Sequence, residues 1–210
     1  MVLGTLLFVG NAKGATCSCA AVPLLNSLEA TSAEDQQWVA GISYQYQDIS
    51  DLYSGSDEIK DDTDRERFSE SAIVQIDYGI SENWAVTGLF SYVEHQRKVG
   101  VSNGSRVTSR GFGDSVILFK YTSVRFDLFS SLEYGVGLGA KIPTGDNDEK
   151  NNGIILAEDM QPGSGAYSWI AWGYMAYALD PATRSRLFLS SNYSFNEEND
   201  RKYRLGDELN

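Results

Sequence analysis

From Gln37 to Asn196 the chain alternates apolar and polar residues with the two-residue period of half-buried β-strands. The clearest stretch is Leu132 to Ile142, LEYGVGLGAKI. Leu132, Tyr134, Val136, Leu138, Ala140 and Ile142 share one face, and Glu133, Gly135, Gly137, Gly139 and Lys141 share the other. Glycines on a polar face leave space beside it, which suits a barrel wall facing a lumen better than a solvated sandwich. Before it, strands are predicted from Gln37 (Trp38, Ala40, Ile42, Tyr44 and Tyr46 on one face), over Ala72 to Ile80, from Trp84 to about Glu94, and over Ser115 to Tyr121. After it come Ala166 to Leu179, apolar on both faces so that periodicity does not separate inside from outside, a strand through Leu187, Leu189, Tyr193 and Phe195, and the start of an eighth at Arg204 to Asn210.

The connections give a topology. Those after the second, fourth and sixth strands are short: Ser81-Glu82-Asn83, Thr122 to Arg125, and Asp180 to Thr183. The others are long and polar, at about Asp48 to Arg67, His95 to Arg110, and Pro143 to Gly165. Short turns on one rim and long loops on the other mark outer-membrane barrels, whose short turns face the periplasm. The expected fold is therefore all-β, an antiparallel up-and-down transmembrane β-barrel over residues 37–210, incomplete, with about seven to eight strands present. Because a closed barrel of this kind has an even number of strands and no free edge in lipid, the sequence reads as truncated at its C-terminus.

Composition narrows the class. With 210 residues, 42% apolar and 22% charged, the chain is long enough for one domain and too apolar to be disordered. Twelve Tyr, four Trp and twenty Gly suit strands and membrane interfaces. A net charge of −12 argues against a nucleic-acid partner. Residues 1–14, with an apolar run Val2 to Val9 before small residues, read as a signal peptide for export. Residues 15–36 then form a periplasmic lead-in that holds the only two cysteines, Cys17 and Cys19. A strained disulfide, a soft-metal thiolate pair and a lipid-modified cysteine are the competing readings of that pair. Two thiolates alone do not complete a metal site.

Charges at Asp77, Asp114, Lys120, Glu133 and Lys141 fall on polar faces and are the candidate lumen or solute-binding residues. In a narrow barrel such groups pair as structural filler. His95, the only histidine, is expected to be exposed at a loop edge, and with Ser91 it forms no catalytic signature. The acidic run Asp57 to Asp64 lacks the Gly and terminal Glu of a calcium loop, so it is expected to be a solvated loop. No cofactor is indicated, and the chain is expected not to be an enzyme.

Three further segments punctuate the strands: Gly111-Phe112-Gly113-Asp114, Gly139 to Asp146 ending in Pro143-Thr144-Gly145-Asp146, and Asp159 to Gly165 containing Gln161-Pro162-Gly163-Ser164-Gly165. Each has turn chemistry that bends the chain into or out of a strand. In this order, over Ser71 to Asn210, they resemble the outer-membrane barrel family named for the meta-pathway of phenol degradation. The resemblance implies a channel for hydrophobic or aromatic compounds, with more strands than are present and no catalytic residues. The expectation is an exported protein of the bacterial outer membrane, its partners being membrane lipid and a small solute that diffuses passively. The loop carrying Ile154, Ile155 and Leu156 is the candidate constriction. The alternatives are a structural or surface-interaction barrel with a plugged lumen, and a soluble secreted ligand-binding barrel.

Overall fold

The computed structural model describes residues 35–49, 52–54, 57–59, 65–99, 105–123, 132–179 and 185–210. The signal-like segment 1–14, Cys17 and Cys19 lie outside them; of the acidic run Asp57 to Asp64, expected as a loop, residues 57–59 are strand, paired with Leu52–Ser54, and residues 60–64 lie outside the described residues. The strands are β1 (Trp38–Ile49), β2 (Leu52–Ser54), β3 (Asp57–Ile59), β4 (Arg65–Gly79), β5 (Trp84–Val99), β6 (Ser105–Phe112), β7 (Ser115–Thr122), β8 (Leu132–Ile142), β9 (Lys150–Asn151), β10 (Ile154–Ile155), β11 (Ser168–Ala178), β12 (Arg186–Asn196) and β13 (Glu208–Leu209). One 3-10 turn, Glu158–Met160, interrupts them.

All main pairings are antiparallel between sequence neighbours, in the order β1-β4-β5-β7-β8-β11-β12-β13, with β6 also on β5. The sheet is an open, curled half-barrel. Small hairpins β2–β3 and β9–β10 stand apart from it. Side chains obey the two-residue period throughout. Ile117, Phe119 and Leu138 point outward and are exposed, while Val116, Leu118 and Lys120 point inward and are buried. The doubly apolar strand β11 resolves the same way, with Ile170, Trp172 and Ala176 inside and Trp169, Met175 and Tyr177 outside.

Parts of two predicted loops prove to be strand. β4 starts at Arg65 and β5 runs to Val99, paired from Arg65↔Val99 down to Gly79↔Ala85. The pattern was hard to see there because the outward face changes from apolar to charged: Tyr92 is followed by Glu94, Gln96 and Lys98. In the same way, β6 replaces the expected loop below Arg110. The predicted eighth strand shrinks to Glu208–Leu209, because Asn199 and Asp207 hold the intervening backbone in turns.

The upper and lower halves of β5 have different neighbours. β6 pairs with it from Val99 to Tyr92 and β7 from Leu89 to Trp84. Between them the wall bends at Gly113-Asp114. β8, β11 and β12 end at this level, where Ser115 faces Ile142, Lys141 faces Ser168, and Ser168 faces Asn196. The segments 143–167 and 197–207 therefore form a cap joined to the inner face of the taller strands β4 to β6. Arg201 ties its two segments together, donating to Glu158 (2.8 Å from Nη2 to Oε2) and to the carbonyl of Asn147.

The three turn motifs of the sequence meet at the bend. Asp114, fully buried, accepts hydrogen bonds from the Gly145 N–H (3.1 Å), the Ser164 N–H (2.9 Å) and the Ser164 hydroxyl (2.5 Å). Asp146 accepts from the Phe112 N–H at 2.8 Å, and Thr144 Oγ1 from the Ser115 N–H at 2.9 Å. Gly113, Gly145 and Gly163 lie backbone against backbone: a Cβ on Gly145 would stand 2.7 Å from the carbonyl carbon of Gly113 and 2.8 Å from Cα of Gly163. The substitution Gly145→Ala is expected to cost about 1–3 kcal/mol or more, since only backbone can yield there. Gly173→Ala, with nothing within 4 Å of its Cβ, is expected to stay within about 0.5 kcal/mol. Urea unfolding of the two variants in the same detergent would check the contrast.

Candidate functional site

The predicted inward charges come together in two pairs. On the lower wall Lys120 Nζ donates to Asp77 Oδ1 at 2.8 Å, with both side chains almost wholly buried. Gln75 donates to the other carboxylate oxygen at 2.6 Å, and the Thr87 hydroxyl also donates to Asp77. The second pair is looser: Lys141 Nζ lies 3.8 Å from Asp114 Oδ2 with no hydrogen bond, both buried. Glu133 joins neither pair and is half-buried lower on β8, opposite Ala176.

The space that the glycines of β8 leave is occupied. A Cβ at Gly135 would stand 3.1 Å from the Trp172 ring, and one at Gly137 3.3 Å from it. The indole lies over the glycine strip, Tyr174 stacks on it with centroids 6.0 Å apart, and Lys120 Nζ sits 5.8 Å from its centroid. Ile73, Leu89, Val116, Leu118 and Ile170 complete an apolar cluster around it. The inner face is thus lined by a mixed layer in which charge is paired and aromatic rings cover the glycine floor.

A third cluster falls in the region expected to be loop. Because β4 and β5 continue upward, Arg67 faces Arg97 and Ser69 faces His95 across the ladder, with Ser109 of β6 opposite His95. His95 is wholly buried, which corrects the expectation of an exposed loop-edge residue. Ser69 Oγ lies 2.9 Å from its Nδ1. Above these five side chains sits the 3-10 turn of the cap. Asp159 bonds both Arg67 (3.2 Å) and Arg97, and the Ser109 hydroxyl donates to the Met160 carbonyl. Gln161 braces the β9–β10 hairpin through Glu149 and Leu156, leaving Ile154 and Ile155 exposed at its tip. Burial, aided by Arg67, lowers the His95 pKa to about 4. Burial also lowers that of Arg67.

The signal for this cluster was present in the chain, since Arg67 and Ser69 on one side and His95 and Arg97 on the other keep the inward phase of β4 and β5. It was obscured by reading charge as loop. Among the described residues no group of three or more His, Cys, Asp or Glu could hold a metal ion.

Fold and inner face together define an antiparallel, up-and-down half-barrel with an apolar exterior, a charge-paired interior and a folded cap. The chain belongs to the family described as "Putative MetA-pathway of phenol degradation", which matches residues 59–210. The description implies a role related to the degradation of phenol by that pathway. No curated protein matches the chain.

Two outcomes are expected at these clusters. Lys120→Met leaves a buried carboxylate with its neutral partners alone and is expected to cost about 3–5 kcal/mol, while Asp77→Asn added to it restores part of the loss. A double-mutant cycle by equilibrium unfolding reads this. For His95, the unfolded imidazole takes up its proton near pH 6.5 and the folded one near pH 4. Between those values the unfolded chain binds more protons, so stability is full above about pH 6.5 and falls toward pH 4, by up to about 3 kcal/mol. Asp159, Arg67 and Arg97 face the same ring, so the comparison that isolates it is His95→Asn, which is expected to flatten the slope.

Proposed function

We propose that this chain forms wall of an outer-membrane β-barrel through which small hydrophobic or aromatic molecules pass by diffusion, and that it is not an enzyme. The observation that carries the reading is the outer face. Trp38, Ile42, Trp84, Phe90, Phe119, Leu138, Trp169 and Leu189 are all at least 48% exposed, far more contiguous apolar surface than a water-soluble monomer presents. This also counts against a soluble secreted barrel, whose outer face should be polar.

Aromatic pairs edge the apolar surface. Trp38–Tyr78 and Trp84–Tyr121 lie at the short-turn rim, with ring centroids 4.6 and 5.1 Å apart. Tyr92–Phe112 lies toward the opposite end, at 5.6 Å. The nine residues Trp84 to Tyr92 match the roughly 9–11 that a tilted strand needs to cross a bilayer. Charged outward residues begin with Glu94. On this reading the short turns face the periplasm, residues 1–14 direct export, and the cap with Arg67, His95 and Arg97 stands above the bilayer. The Ser69–His95 pair offers no activated nucleophile, since both residues are buried and the imidazole is a weak base.

Asp77, Lys120, Asp114, Lys141 and Glu133 are then lumen-side groups; the first four pair off, which leaves Glu133 as the one charge of the five outside a pair and a near-neutral wall suited to uncharged aromatic solutes. A second reading, a barrel with a filled lumen and a structural role, is favoured by the packing of Trp172 with Ile73, Leu89 and Leu118. Liposome swelling divides the two. The channel predicts faster entry of phenol-sized aromatic solutes than of sugars of similar mass, and faster still on deleting Asn151 to Leu156. A filled barrel predicts no entry above that of empty liposomes.

A further inference from the structure

The cap is held to the wall through a recognition unit of a particular chemistry. Arg67 and Arg97 stand opposite each other on the inward face of β4 and β5, and both guanidinium groups bond the single carboxylate of Asp159. Arg67 uses only Nη1 for this. Its Nε and Nη2, the side-on edge that matches the two oxygens of a carboxylate, are buried and have no hydrogen-bond partner. Glu158, the neighbouring acid, is turned away to Arg201. Two cations therefore share one carboxylate, in a chain whose net charge is −12, and two polar atoms of Arg67 lack partners. Such a closed state is under-satisfied, since Asp159 gives both arginines the same oxygen, Oδ2, and a free carboxylate able to present both of its oxygens competes with it.

We propose that Arg67 and Arg97 form a carboxylate receptor now occupied by the cap's own Asp159, and that a small carboxylate solute displaces Asp159 and releases the turn Glu158–Met160 from the wall. Asp159 is then an internal stand-in for the ligand. Release of the turn needs an anion with two coplanar oxygens, an aromatic or aliphatic carboxylate, whereas the neutral aromatic solutes of the channel reading pass the wall without displacing it. The inference deepens the channel reading, on which it rests for the cap being the solvent-facing end. The receptor itself is tested by binding, so a barrel that conducts nothing leaves the test intact.

The experiment is amide hydrogen exchange of the detergent-solubilised full chain at neutral pH, following peptides over 143–167, with benzoate as probe and benzyl alcohol as its uncharged counterpart. Calorimetric titration with benzoate accompanies it. Benzoate is expected to speed exchange in the cap of the wild type, with no change in the β7 and β8 peptides, and benzyl alcohol to leave the cap unchanged. Asp159→Asn is expected to exchange fast without ligand and to bind benzoate about ten-fold more tightly, the internal competitor being gone. Adding Arg67→Met to it should abolish the binding. Cap exchange in the wild type that ignores benzoate, or responds equally to benzyl alcohol, overturns the proposal, as does benzoate binding that survives loss of Arg67. The wild-type comparison decides the matter even where a variant fails to fold.

Discussion

The bend at Asp114 is the constraint on which the rest of the structure depends. A buried carboxylate costs free energy unless its oxygens are saturated, and here three donors from two separate turns saturate it. Those donors fix where the chain leaves β8 at Gly145 and where it returns toward β11 at Ser164. Gly113, Gly145 and Gly163 allow the three backbones to approach closely enough for this to happen. The β6–β7 break, the common upper limit of β8, β11 and β12, and the cap over the taller strands all follow from this one junction.

Above and below the bend the inner face solves the same electrostatic problem differently. Below it, Asp77 gathers Lys120, Gln75 and Thr87, and Trp172 covers the glycine strip, so charge and space are both compensated. Above it, compensation is incomplete: two guanidinium groups rely on one cap carboxylate, and the Nε–Nη2 edge of Arg67 finds nothing. The lower wall is accordingly the settled part of the structure. The cap cluster is where small changes in charge or ligand have most to act on.

Much of the wall could be read directly from the chain. Alternation in Leu132 to Ile142 assigned each residue to its face, and the order of short and long connections gave the antiparallel neighbours, because in a two-faced sheet both follow from local periodicity. The tall hairpins were harder. Past Tyr92 and Phe112 the outward side chains become charged, so a pattern based on apolar alternation stops although the hydrogen-bond ladder does not. His95 was misplaced for this reason, and Arg67, Arg97 and Asp159 went unremarked as a group.

The sequence by itself determined the all-β class, the two faces of the strands and the inward direction of Asp77, Asp114, Lys120 and Lys141, since a strand's side-chain period is a property of its own backbone. Only the tertiary structure decided which of those charges meet, that Trp172 fills the space beside the glycines, and that three distant turn motifs form one junction. Those contacts join residues far apart in the chain, 43 positions for Lys120 and Asp77 and 50 for Ser164 and Asp114, and they are set by sheet curvature and by which buried polar groups can satisfy one another, so no local pattern encodes them.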